Sequence, residues 1–295
     1  MKATRFVSSW ICAAFLTACA TSQQTDSAEA EHAGHGGAAA AAAPVKSLPA
    51  DEAGAPARLR SSPRHGEWLT IRTGSQDSVR AWVVYPERKS KAPVVLVVHE
   101  IYGLTPWIRG VADQFAAEGF IAVAPDLLTM KNLAGFPDSV DRQAATAAIR
   151  TLQPADVHRQ LSAVASYAMN LPAAQKKYGI VGFCWGGGTS FQHAVVAPAL
   201  GASVVFYGVS PPNGAVSASA PVLGLYGGND ARVNATIPGA DSAMKKSGKV
   251  YQYHIYEGAG HGFLRQQSGM NGANAAATER AWPEAVTWFR KHLGK

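Results

Sequence analysis

Gly182-Phe183-Cys184-Trp185-Gly186-Gly187-Gly188 follows the apolar run Tyr178-Gly179-Ile180-Val181 and opens a stretch of helical character. A buried strand that turns abruptly into a helix strains the backbone of its corner residue, and the residues two positions to either side crowd the adjoining backbone. Glycine at 182 and 186 relieves that crowding, so the spacing G-x-C-x-G predicts a sharp strand-to-helix corner with Cys184 at its tip. A sulfur placed there stands above the sheet near the positive end of the following helix, whose field favours a thiolate. Taken alone, the motif accommodates a buried packing cysteine equally well. A phosphate loop is the weakest reading, because no Lys-Ser or Lys-Thr follows the glycines and the G-x-G-x-x-G spacing is absent.

Outward from this corner, short apolar runs alternate with helical stretches. WLTIRT (68–73) and VRAWVVYP (79–86) read as an opening pair of strands around Gly74-Ser75-Gln76-Asp77. APVVLVVHE (92–100) is nearly all apolar, as a strand covered on both faces should be. WIRGVADQFAAEG (107–119) has apolar residues at helical spacing and stops at Gly119. FIAVAPDLL (120–128) is the next strand, and PADVHRQLSAVASYAMN (154–170) the next long helix, with Pro154 in its first turn. After YGIVGF (178–183), strands are predicted at ASVVFYG (202–208), PVLGLYG (221–227) and VYQYHIYE (250–257), and a closing helix around 275–293. The alternation predicts an α/β fold, an open and mostly parallel sheet flanked by helices on both faces. Chemistry in such sheets gathers in the crevice at the carboxyl ends of the strands.

A cysteine nucleophile needs a base, and the base needs an orienting group. Asp230, in Gly227-Gly228-Asn229-Asp230, follows the strand at 221–227. His261, in Glu257-Gly258-Ala259-Gly260-His261-Gly262-Phe263, follows the strand at 250–257. The order nucleophile, acid, histidine, with each member at a strand end and glycines beside it, favours the nucleophilic reading of Cys184 over packing. His99 ends a buried strand and reads as a packing residue rather than a competing base. His254 alternates within its strand and is given no role.

The 295-residue chain is 47% hydrophobic, ample for a large core, but its N-terminus lies outside that core. Lys2 and Arg5, an apolar stretch through Trp10 to Phe15, and the closing Leu16-Thr17-Ala18-Cys19 have the order of an export signal (1–18). Its apolar part is too short to span a bilayer as a permanent helix. The closing tetrapeptide resembles a bacterial lipobox, so Cys19 is expected to carry lipid and anchor the protein to a membrane. Ala20 after it points to the periplasmic side of the outer membrane. Residues 19–63 are poor in bulky apolar side chains and are expected to form a disordered tether, with the folded domain spanning 64–295. His32 and His35 within the tether read as a solvated linker, not a metal site. Loss of Lys2 and Arg5 with the signal lowers the formal charge from +7 to +5. No cluster of basic residues accompanies that excess, so nucleic acid is not an expected partner. Cleavage removes Cys12 and lipid occupies Cys19, which leaves Cys184 as the free thiol, with neither a disulfide nor a multi-cysteine metal site open to it.

GFCWGGG (182–188), HEIYGL (99–104), APDLL (124–128), YGGND (226–230) and GAGHGF (258–263) resemble, in order and spacing, the dienelactone hydrolase family of the α/β-hydrolase fold. The resemblance spans roughly residues 65–293. It implies hydrolysis of esters or lactones: Cys184 attacks the carbonyl, His261 shuttles the proton, and Asp230 orients His261. It further implies that Glu100 sits beside the thiol and controls its ionisation until substrate arrives, and that the backbone N–H groups of Trp185 and Ile101 hold the oxyanion. Arg265 is the expected anchor for a substrate carboxylate. A second such arginine is sought in KNLAGFPDSVDRQAATAAIR (131–150), where the sequence departs from the family pattern and offers Arg142 and Arg150. The expected substrate is a small ester or lactone, no metal or organic cofactor is expected, and the domain is expected to be monomeric. Two other readings stay open. One is a broader carboxylesterase or peptidase with 131–152 as a reshaped lid; the other is a noncatalytic envelope lipoprotein that uses the fold as a binding module.

Overall fold

The computed structural model describes residues 48–135, 139, 141–211 and 217–294. Among these residues are eight strands: β1 (Gly66–Arg72), β2 (Ser78–Val84), β3 (Ala92–Val98), β4 (Ile121–Asp126), β5 (Ala174–Phe183), β6 (Ala202–Phe206), β7 (Val222–Gly227) and β8 (Tyr251–Tyr256). They form one sheet in the order β1-β2-β4-β3-β5-β6-β7-β8. β2 pairs antiparallel with β1 and with β4, and every later pairing is parallel. The mostly parallel α/β sheet expected from the alternation of elements is therefore present.

β3 is buried along its whole length because both faces of the sheet are covered. Val95 and Val97 point into the layer built by α2 (Pro106–Ala117) and α8 (Ala273–Leu293), with Trp107, Phe115, Trp282 and Phe289. Val94, Leu96 and Val98 point the other way, into the layer of α4 (Pro154–Met169), α5 (Trp185–Val196) and α7 (Ile237–Lys246), with Leu161, Phe191 and Met244. α2 starts where Thr105 accepts from the Ile108 N–H and Pro106 presets the first turn.

The register aligns the strand ends. Val98 lies opposite Gly182, Gly182 opposite Val205, Phe206 opposite Leu225, and Gly227 opposite Tyr256. The residues that follow these strands (Glu100, Cys184, Tyr207, Asp230 and, after a short loop, His261) thus emerge along one carboxyl edge of the sheet, where a crevice can form.

Two stretches differ from the sequence reading. The tether was expected to run to residue 63, with the folded domain beginning at 64. Instead the chain is part of the fold from Leu48, and α1 (Ala55–Arg60) packs on α2. Ala55 is buried and lies against Gly110, while Ser62 and Arg64 reach the buried Asp113 at 2.6 and 2.5 Å. Composition hides this docking because few apolar side chains carry it: Leu48 packs against the core, Ala55 is buried, and polar ties do the rest. Within 131–152 the structure holds α3 (Arg142–Ile149), seated through Ala145 and Ile149 against Leu128, Ile101 and Trp185. The export signal, Cys19, His32 and His35 lie outside the described residues.

The arm's main tie supplies a stability test. Asp113 is 3% exposed and accepts from Arg64 Nε at 3.0 Å as well as Nη2. Removing it strands a buried guanidinium, so Asp113→Ala is expected to lose about 3 kcal/mol or more, read as a lowered urea midpoint. A change below about 0.5 kcal/mol, the level of an ordinary surface substitution, would show that the arm is not docked in solution.

Candidate active site

β5 ends at Phe183 and α5 begins at Trp185, so one residue makes the corner. Cys184 has φ 55° and ψ −113°, and its N–H donates to the Phe206 carbonyl at 3.1 Å, which ties the corner to β6. Positive φ in a non-glycine residue is strained, and it persists because the neighbours over-determine it. A Cβ at Gly182 would overlap the Gly186 carbonyl, and one at Gly186 would overlap the backbone carbonyls of Val98 and His99. The two glycines let strand, corner and helix interpenetrate as the motif predicts.

Asp230 closes the turn after β7 and is almost fully buried. Its Oδ1 accepts from the Val233 N–H at 3.4 Å, and its Oδ2 lies 2.5 Å from His261 Nδ1. With Nδ1–H donating to the carboxylate, Nε2 of His261 is left as the acceptor, the tautomer a general base requires. The histidine loop is pinned by the Gly260 N–H donating to Asn274 Oδ1 at 2.9 Å, and the His261 side chain keeps a third of its surface open.

Glu100 follows β3 and is 3% exposed. Its Oε2 forms an ion pair with Arg265 Nε at 2.7 Å. Burial raises its pKa, opposed by the charges of Arg265 and His261. The Cys184 thiol is pushed up to about 11, first by burial and then by Glu100; the Trp185 N–H, Arg232 and Arg265 pull the other way. The helix field invoked from the sequence is thus outweighed by desolvation and by the carboxylate, and the resting thiol is neutral at pH 7. Its alkylation by iodoacetamide should be slow at pH 7 and rise as pH climbs toward 11. Glu100→Gln removes the repelling charge, lowers the thiol pKa and should accelerate alkylation at pH 7; an unchanged rate would show that the carboxylate does not act on the thiol.

His99 is fully buried, with Nδ1 2.7 Å from the Glu100 carbonyl and Nε2 accepting from the Leu127 N–H at 3.2 Å. Both ring nitrogens are occupied and burial lowers its pKa, so it packs, stacked on Trp185, as the sequence suggests. His254 lies on the edge strand β8, 3.6 Å from Glu284.

Arg265, expected to face a substrate carboxylate, is 9% exposed and engaged by two carboxylates of the protein itself. The second is Glu52, whose Oε2 accepts from Arg265 Nη1 at 2.7 Å. Glu52 Oε1 pairs with Arg142. The guanidiniums of Arg142 and Arg265 lie over the Tyr102 ring at 4.6 and 5.4 Å. Of the two candidates for a second arginine, Arg142 therefore joins this cluster, whereas Arg150 is exposed at the end of α3.

The sequence reading misses two residues here. Glu52 was assigned to the tether; the Asp51-x-x-Gly54 turn followed by Pro56 in the first turn of α1 was its available signal. Tyr207 follows β6 with φ 40°, its ring 5.2 Å from that of His261 in an edge-on arrangement. Its buried hydroxyl lies beside the Glu100 carboxylate, without a well-aligned hydrogen bond among the described residues. Burial and the charge of Glu100 raise its pKa well above 10, so the hydroxyl stays protonated.

Residues 79–293 match the sequence model of the dienelactone hydrolase family. The chain belongs to this family. A Methylorubrum extorquens relative assigned as a carboxymethylenebutenolidase is 30% identical, the match covering 75% of this chain and 80% of that one. A Bradyrhizobium relative assigned as a 2-oxo-3-(5-oxofuran-2-ylidene)propanoate lactonase is 28% identical, covering 77% and 94%. Among solved structures, a Klebsiella pneumoniae protein described as a dienelactone hydrolase superposes with a TM-score of 0.69 at 26% identity, over 77% of this chain and 99% of that one. As a dienelactone hydrolase family member, the chain is a hydrolase acting on ester or lactone bonds.

Proposed function

We propose that this dienelactone hydrolase family member cleaves carboxylic esters or lactones through Cys184, His261 and Asp230. The observation that carries the reading is the 2.5 Å Asp230–His261 pair on the same sheet edge as a cysteine held at positive φ. The relatives assigned as a butenolidase and a lactonase support a small cyclic or activated ester as substrate.

In the proposed cycle His261 Nε2 takes the thiol proton as Sγ bonds to the carbonyl carbon, and the carbonyl electron pair moves onto oxygen. The Trp185 N–H receives that oxyanion; as the first residue of α5 it has no carbonyl one turn earlier within the helix. Ile101, in the turn after β3, supplies the second N–H. Collapse breaks the carbon–oxygen bond of the ester, and the leaving alkoxide takes the proton from His261. Water, deprotonated by His261, attacks the thioester, and the departing thiolate takes that proton back. Glu100 keeps the thiol protonated between turnovers, which protects it from oxidation.

The reading extends to the leader: Cys19 carries lipid and holds the domain at the membrane, supported by the charged, apolar and Leu-Thr-Ala-Cys order of residues 2–19. The test of the chemistry is acid quenching during turnover of p-nitrophenyl acetate, followed by peptide mass spectrometry. An acetyl group on Cys184 is the expected result, and turnover with acetyl on another residue would overturn the assignment.

A further inference from the structure

We propose that Glu52 is a built-in carboxylate that fills the arginine pair beside the catalytic thiol and turns this hydrolase toward esters with an uncharged acyl group. The inference rests on the hydrolase reading above and adds the class of substrate selected. Glu52 lies before the residues that match the family model.

The carboxylate is held from both ends. Along the backbone, the Glu52 N–H donates to the Arg265 carbonyl at 3.0 Å, the Pro49 carbonyl accepts from Gln267 Nε2 at 3.0 Å, and the Ala50 carbonyl accepts from Trp107 Nε1 at 3.2 Å. At the side chain, one oxygen meets Arg265 and the other Arg142. This is the way two guanidiniums grip the carboxylate of a ligand, with one oxygen for each.

Charge makes the consequence specific. The cluster holds two cations, Arg142 and Arg265, and two carboxylates, Glu52 and Glu100. Through Glu100 it reaches the thiol, whose ionisation responds to both Glu100 and Arg265. An ester bearing its own carboxylate would bring a third negative charge to two cations already satisfied. It would also have to displace a carboxylate that the chain tethers in place, a competitor at high effective concentration. Rejection of that class follows from repulsion as well as from occupied partners. The site is reachable: the Glu52 and Arg142 side chains are 31% and 52% exposed. Without the Glu52 charge, the two arginines would outnumber the remaining Glu100 and offer a carboxylate seat open to solvent.

The experiment compares full-length wild type, Glu52→Gln and the double variant Glu52→Gln/Arg142→Gln on p-nitrophenyl butyrate and on mono-p-nitrophenyl glutarate, which share a leaving group and differ by an acyl carboxylate. The expected result is a rise of about tenfold or more in the ratio of kcat/KM for the glutarate to that for the butyrate ester in Glu52→Gln, carried by KM for the glutarate ester. That gain should fall in the double variant and shrink as salt is raised. A merely structural tie would lower both esters together and leave the ratio alone, so a ratio within twofold of wild type in folded Glu52→Gln overturns the proposal. If Glu52→Gln does not fold, Glu52→Asp withdraws the carboxylate by one methylene and is expected to move the ratio the same way by less; no movement there overturns it equally. Calorimetric binding of free glutarate to the same proteins gives a readout independent of turnover. Binding to Glu52→Gln but not to wild type supports the carboxylate seat even if neither ester is hydrolysed, in which case the hydrolase reading fails alone. No binding and no change of ratio sinks the inference while turnover of the butyrate ester leaves the hydrolase reading standing.

Discussion

Cys184→Ala is expected to lower kcat/KM for p-nitrophenyl acetate by roughly 10⁴–10⁶-fold, because a triad acts as a unit and removal of its nucleophile leaves only the oxyanion donors and binding. The loss should come without unfolding: the Cys184 N–H to Phe206 bond involves backbone alone, and alanine tolerates the corner no worse than cysteine. Far-UV circular dichroism and a thermal midpoint close to wild type are the controls. Cys184→Ser separates a thiol enzyme from a general triad. Burial and Glu100 already hold the sulfur protonated, and a hydroxyl is a far weaker acid in the same surroundings. The serine variant should lose roughly 10²–10⁴-fold, the range that a mismatched proton transfer forfeits. Near-equal activity of the serine variant, or retained activity in the alanine variant, would remove Cys184 from the mechanism.

The second large effect is on folding. In Gly182→Ala the new methyl would overlap the Gly186 carbonyl, and the atoms in its way are backbone at the corner between β5 and α5, which cannot rotate aside. Overpacking against side chains costs about 1–3 kcal/mol; a clash with backbone in the central strand should exceed about 4 kcal/mol, a large share of the 5–15 kcal/mol available to a domain. The variant is expected to accumulate as insoluble protein or to show a collapsed urea midpoint. Gly239→Ala is the matched control. Gly239 lies within α7 and its added methyl meets nothing within 4 Å, so this variant should gain about 0.5–1 kcal/mol from helix propensity. Equal stability of the two variants would refute the close-approach account of the corner.

The corner was legible in the sequence because its constraint is local: a strand, one strained residue and a helix leave no room for side chains at 182 and 186, and that need is written as glycine. The sheet was legible for a related reason. Runs such as APVVLVV report a strand covered on both faces, and the order of runs and helices limits how strands become neighbours. Asp230 and His261 could be paired before any coordinates, since each follows a predicted strand, with glycines beside it, in the order nucleophile, acid, histidine.

Glu52 was not legible. Its partner Arg265 is 213 residues away, and a contact of that span leaves no periodicity in either segment. The docking of residues 48–62 rests on carbonyls, polar ties, a buried alanine and the lone Leu48 against the core, too sparse an apolar pattern for a composition-based reading to tell from tether. The state of the thiol was equally out of reach. Sequence could place Cys184 at a helix N-terminus, where the field favours a thiolate. Only the assembled structure shows that burial and Glu100 outweigh that field, because both depend on what the rest of the chain brings around the sulfur. By itself, then, the sequence determined the backbone corner, the succession of strands and helices and which residues stand at the strand ends, since local sterics and hydrophobic pattern dictate them. Tertiary structure alone decided the charge balance at the thiol and the occupant of the arginine pair, since electrostatic energies depend on distances that no stretch of sequence contains.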